Sequence, residues 1–205
     1  MAQTSPPPPS LPRPPKRPWT LPNILSLLRI LLVPFFIWAM VARRPLAALV
    51  VFAAAALTDF LDGLAARSMN LRSDLGRILD PAGDKLLMMA ACVACGLPSL
   101  SRPNVLPLAL VLAVIGRDLA IALGALVLLT LKKKISLKPS LWGKISTVLQ
   151  MGCLSLVLLL NALGIKPSGF LNAVYILTLA ATAVSGAHYF WTGFVAGLRK
   201  RSPRV

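Results

Sequence analysis

Six times along this chain, apolar residues run on for about 20 positions without the alternation that a half-buried strand requires. A run of that length crosses the hydrocarbon core of a bilayer as a helix, whereas a membrane barrel would alternate apolar and polar residues. The chain therefore reads as all-α, a polytopic membrane protein with six transmembrane helices in one compact domain. The runs fall at 21–40, 46–67, 76–97, 108–131, 141–163 and 170–198. Arg43-Arg44-Pro45, the polar connector 68–75, the proline-bounded segment 98–107 and Lys132-Lys133-Lys134 separate them. Only 14% of the 205 residues are charged, against about 25% in a soluble domain.

The charges are placed with strong bias. The net charge is +16, and the basic residues sit at the ends of the apolar runs rather than on a continuous soluble face. That placement fits contacts to lipid headgroups and argues against nucleic acid as a partner. With the N-terminus inside, the inner segments hold Arg13, Lys16, Arg17, Arg72, Arg77, Lys132, Lys133, Lys134, Lys138, Arg199, Lys200, Arg201 and Arg204. The outer loops then hold only Arg43, Arg44, Arg102 and Lys166. Both termini are expected on the cytoplasmic side. Residues 1–18, with Pro6-Pro7-Pro8-Pro9, form a disordered proline-rich basic tail, 19–198 the membrane domain, and 199–205 a basic C-terminal tail. Trp142, Tyr189 and Trp191 fall near span ends, where aromatic belts form. Cys92, Cys95 and Cys153 lie inside apolar runs and read as packing residues, and the lone His188 as an interfacial one.

Five of the six acidic residues lie between Asp59 and Asp84, beside hydrocarbon. Ionised carboxylates there are costly, so such a cluster marks a functional site. Asp59, Asp62 and Ala66 fall at i, i+3 and i+7 of one helix; Gly76, Asp80 and Asp84 fall at i, i+4 and i+8 of the next. A short connector makes the two helices antiparallel neighbours, so four carboxylates can surround one small volume. Two divalent cations would neutralise them, and an all-oxygen donor set favours Mg²⁺ or Mn²⁺. A metal pair of this kind suits phosphoryl transfer. Gly63 and Gly76 leave room for close approach of a substrate, Arg67 can fork onto a diphosphate, and Ser73 can hydrogen-bond it.

The string Asp59-x₂-Asp62-Gly63-x₂-Ala66-Arg67-x₈-Gly76-x₃-Asp80-x₃-Asp84 resembles the full signature of the CDP-alcohol phosphatidyltransferases, with eight residues fixed over 26 positions. Pro22-Asn23-Ile24-Leu25-Ser26-x-x-Arg29 is similar to the first-helix segment of that family, and the six-helix layout agrees. The resemblance implies transfer of a phosphatidyl group from CDP-diacylglycerol to an alcohol, with release of CMP. It further implies that Asp59 and Asp80 bridge two metals, that Asp62 and Asp84 complete one site each, and that Asp84 is the general base. Asn23, Ser26, Gly63, Arg67, Ser73 and Gly76 would hold the CDP-lipid. A homodimer in a bacterial cytoplasmic membrane is implied as well.

The acceptor rests on Arg117 and Lys144, cations near the inner ends of the fourth and fifth runs. They suit an acceptor bearing phosphate. Gly143-Lys144-x-x-Thr147-x-x-Gln150 resembles the phosphatidylglycerophosphate synthase branch, while Arg117-Asp118 and Lys138-Pro139-Ser140 look more like eukaryotic-type cardiolipin synthases. A glycerol-type acceptor is expected, glycerol 3-phosphate ahead of phosphatidylglycerol. An intramembrane prenyltransferase would carry its acidic motifs on non-adjacent helices. A cation transporter would show repeats or broken helices in matching halves. Neither pattern is present in the sequence.

Overall fold

The computed structural model describes residues 21–69, 76–130 and 141–199. These form six helices and, among the described residues, no strand: α1 Leu21–Val41, α2 Pro45–Met69, α3 Gly76–Gly96, α4 Leu108–Thr130, α5 Leu141–Ala162 and α6 Gly169–Arg199. Each apolar run has become one helix, with ends within two residues of the expected ones. Two of them, Leu141–Ala162 and the Gly169–Thr192 portion of α6, are long and apolar enough to cross a membrane among the described residues. The tail 1–18 and residues 200–205 lie outside the described residues.

Helix α1 packs along both α2 and α3, α5 packs on α6 and α2, and α6 also covers α4. The core is built from Phe36, Phe52, Leu87, Leu110, Val157, Leu158 and Leu171 with small residues between them. The rings of Phe36 and Phe52 meet at 6.1 Å. Cys92, Cys95 and Cys153 are buried free thiols inside this core, as packing residues should be. Large apolar side chains on the outward faces, among them Trp38, Leu46, Val148, Phe170, Ile176 and Phe190, are exposed. Such faces are stable against lipid and costly against water. Gly96 allows α3 and α4 to close up, since a Cβ there would stand 2.6 Å from Val111 Cγ2.

The end of the bundle formed by the last turns of α1, α3 and α5 is locked by hydrogen bonds. Asn161 Oδ1 accepts from the backbone N–H of Asn104 at 2.7 Å and from Asn104 Nδ2 at 3.0 Å. Asn161 Nδ2 donates to Ser101 Oγ and to Asn104 O, both at 2.9 Å. The α3–α4 loop is thus fastened to the end of α5. Two helices stop here with the same cap. Ile165 N–H reaches back to Leu160 O with Gly164 at φ 67°, and Arg44 N–H reaches back to Ala39 O with Arg43 at φ 53°. Glycine meets the left-handed position of such a cap freely; arginine there costs about 1–2 kcal/mol.

Candidate active site

The opposite end of the bundle holds the helix positions of the acidic motif. On α2 the buried positions Ala48, Phe52 and Ala55 step by i+4 and i+7, and the same steps continue to positions 59, 62 and 66. On α3 the buried positions Leu87, Met88, Ala91 and Cys95 extend a stripe that begins at positions 80 and 84. Gly83, between them, is itself buried. By backbone spacing alone, the periodicity of the buried positions on both helices runs on through the positions that the sequence fills with Asp59, Asp62, Asp80 and Asp84. Both helices are continuous through the motif, with α2 running on to Met69 and α3 starting at Gly76. The side chains of Asn23, Ser26, Asp59, Asp62, Gly63, Arg67, Gly76, Asp80 and Asp84 fall outside the described ones, and Ser73 lies outside the described residues altogether.

Helix α1 brings a residue to which the sequence reading gave no role. Arg29 is 1% exposed, the most buried cation in the described chain. A guanidinium out of water needs a counter-charge. Antiparallel packing sets its level: with Phe36 against Phe52, seven residues back along α1 and seven forward along α2 bring Arg29 level with position 59. The Asn23, Ser26, Arg29 stripe was visible as a periodicity. What the sequence could not show is that its last member is sealed inside.

One of the two acceptor candidates, Arg117, is paired with a carboxylate. Asp118 accepts from Arg117 Nη1 at 2.7 Å and pairs with Lys85 Nζ at 2.8 Å. Lys85 directly follows Asp84, so this pair ties α4 to α3 beside the motif. Arg117 Nη2 donates to Ser185 Oγ at 3.1 Å and, more weakly, to Gly143 O at 3.4 Å. Its guanidinium lies 5.9 Å from the Tyr189 ring centroid. The Arg117 side chain is 8% exposed, yet its Nε has no hydrogen-bond partner, and neither has the buried Nδ1 of His188. Lys144, the residue after Gly143, is exposed. The structure therefore joins Arg117 and Lys85, from α4 and α3, in one node where two cations share the Asp118 carboxylate, and among the described residues it shows no contact of Lys144 with that node. Thr147 and Gln150 are spent on the scaffold. Thr147 Oγ1 donates to Gly143 O at 3.0 Å, and Gln150 Nε2 bridges Ser146 Oγ and Thr182 Oγ1 at 3.1 and 3.0 Å. Sequence reasoning missed Asp118, Lys85 and Ser185 as members of this node; a carboxylate adjoining Arg117 in an apolar run was the available signal.

Chemically, the described residues at this end offer a buried arginine and a node of surplus positive charge, beside helix positions that the sequence fills with four aspartates. Oxygen-only donors of this kind match a hard divalent cation. The node matches an anion.

Residues 19–187 match the family model described as CDP-alcohol phosphatidyltransferase. The chain is similar to the CDP-diacylglycerol–glycerol-3-phosphate 3-phosphatidyltransferase of Aquifex aeolicus, 34% identical over 175 residues that cover 85% of this chain and 96% of that one. The protein of the same description from Rickettsia typhi is 38% identical over 181 residues, covering 83% and 94%. The cardiolipin synthase (CMP-forming) of Homo sapiens is 32% identical over 194 residues, covering 87% of this chain and 63% of the human protein.

Proposed function

The chain belongs to the CDP-alcohol phosphatidyltransferase family, and from that premise we propose that it transfers a phosphatidyl group from CDP-diacylglycerol to glycerol 3-phosphate and releases CMP. The observation that carries the choice of acceptor is the Lys85–Asp118–Arg117 node. Two cations on one carboxylate leave a positive surplus beside the acidic motif, and a phosphate monoester is the glycerol-type acceptor that uses it best.

In this reading Asp59, Asp62, Asp80 and Asp84 would hold two divalent cations, Mg²⁺ or Mn²⁺, which when bound would supply polarisation of the diphosphate and charge neutralisation of the CMP leaving group. Asn23, Ser26, Gly63, Arg67, Ser73 and Gly76 hold the CDP-lipid. Arg29 balances negative charge from inside the bundle. Arg117 and Lys144 bind the acceptor's phosphate and aim its free hydroxyl at the phosphorus that bears diacylglycerol. Asp84 takes the hydroxyl proton. The new P–O bond forms as the bond from that phosphorus to the CMP oxygen breaks, so CMP leaves with the electron pair. All six helices span the bilayer with both termini and the motif on the cytoplasmic side of a bacterial inner membrane. The 19–198 domain works as a homodimer flanked by its two basic tails.

A second reading, cardiolipin synthesis from phosphatidylglycerol, is favoured by Asp118 following Arg117, where a glutamate is expected in the glycerol 3-phosphate branch, and by the similarity to the human cardiolipin synthase. The test is CMP release by the purified protein in detergent with CDP-diacylglycerol and Mg²⁺, each acceptor offered alone. Release with glycerol 3-phosphate supports the first reading, and release with phosphatidylglycerol alone supports the second. No release with either, from protein that retains its helix content, contradicts both.

A further inference from the structure

At the end away from the acidic motif, a cavity of about 410 Å³ opens among the last turns of α1, α3 and α5, lined in part by Arg43, Arg44, Arg102, Ser99 and Asn161. Its charge is one-sided. The chain's acidic residues are Asp59, Asp62, Asp74, Asp80, Asp84 and Asp118; those that fall on described helices lie on α2, α3 and α4 away from this end. Along the helices the nearest is Asp118, ten positions into α4 from Leu108, about 15 Å at 1.5 Å per residue. That exceeds the screening length of about 8 Å at physiological salt, so among the described residues the three guanidinium groups share a cavity without a counter-charge.

Two of these exposed side chains have a fixed contact, and the third has a fixed backbone. Arg102 Nε donates to Pro98 O at 2.9 Å, which leaves its terminal amino groups for another acceptor. Arg44 is poised 5.6 Å from the ring centroid of Trp38. Arg43 occupies the left-handed cap position at φ 53°, where the matching cap of α5 has Gly164. A strained non-glycine residue at a cavity rim points to function. The neutral wall is rigid too, because both Asn161 Nδ2 protons are already given to Ser101 and Asn104.

We infer that this cavity binds a phosphate group, held by the forked donors of Arg43, Arg44 and Arg102. Its volume lies in the range of small-molecule sites and exceeds the need of a bare phosphate. The group comes from the headgroup of an anionic phospholipid or from free phosphate. The lipid source rests on the membrane placement proposed above. The exposed Trp38 beside Arg44 is the kind of residue that sits at headgroup level.

The experiment uses the full chain in a nonionic detergent and reads Tm during titration with short-chain phosphatidic acid, short-chain phosphatidylcholine or inorganic phosphate. Phosphatidic acid should raise Tm by several degrees and phosphatidylcholine by much less. The Arg44→Gln/Arg102→Gln double variant should lose roughly half of that rise or more. Arg43→Gly preserves the cap, so its unliganded Tm should equal or exceed that of the parent while its response to ligand falls. An arginine-dependent response to inorganic phosphate as large as that to the lipid would assign the site to the free anion; a response confined to the lipid would assign it to a headgroup. Ligand responses that are the same in the parent and all the arginine variants would overturn the inference. CMP release by these variants should match the parent, which separates this site from the transferase reading.

Discussion

Asn161, Asn104 and Ser101 close one end of the bundle with neutral amide and hydroxyl groups, while Lys85, Asp118 and Arg117 join helices at the other with full charges. Both clusters are largely buried and both link elements distant in sequence. The neutral one satisfies nearly everything it buries and offers nothing to a ligand, so it works as a fastener. The charged one leaves Arg117 Nε without a partner and holds two cations to one carboxylate. A stable scaffold would gain more from well-packed hydrocarbon than from such a node. Its retention beside the aspartate stripes fits substrate handling rather than stability.

The comparison can be broken first at the charged end. Asp84→Asn keeps the shape of the side chain and removes the base, so CMP release should fall about a hundredfold or more with helix content unchanged by circular dichroism. Activity within a few-fold of the parent would remove Asp84 from the chemistry. Asp118→Asn leaves Arg117 and Lys85 without their shared carboxylate. It should destabilise the protein by about 2–3 kcal/mol, less than a fully buried pair because Lys85 is 41% exposed. Because Arg117 also loses its anchor, the KM for the acceptor should rise while that for the CDP-lipid stays.

Asn161→Ala sharpens the contrast from the other side. It removes four hydrogen bonds and should cost about 2 kcal/mol in denaturant unfolding, with kcat and both KM values of the folded enzyme unchanged. A selective loss of acceptor binding would show that the fastener is coupled to the site. The smallest effect is expected from Lys144→Ala. An exposed charge contributes little, so the acceptor KM should rise only about fivefold, and equal losses for both substrates would contradict its placement.

Much of this architecture was legible in the sequence, and the helix bounds show why. Proline, glycine and basic clusters punctuate runs whose length the hydrocarbon core dictates, so α1 to α6 fall where the runs do. The unbroken helices that carry the aspartates at i, i+3, i+4 and i+7 spacing were legible as well. The nodes were not. Asn104 meets Asn161 across 57 residues, and Arg117 meets Ser185 across 68. No local periodicity records which helix lies beside which. Arg29 reads as one member of a polar stripe until α2 and α3 are laid against α1 and seal it.

The central claim is that the ends of α2 and α3 form one carboxylate centre for divalent metal. Manganese binding to the purified chain, followed by electron paramagnetic resonance, tests it most directly and without substrate. The account predicts about two ions per chain, displaced by Mg²⁺, with binding reduced in Asp59→Asn and in Asp80→Asn alike because the centre draws on both helices. Binding that survives either substitution unchanged would contradict a shared site.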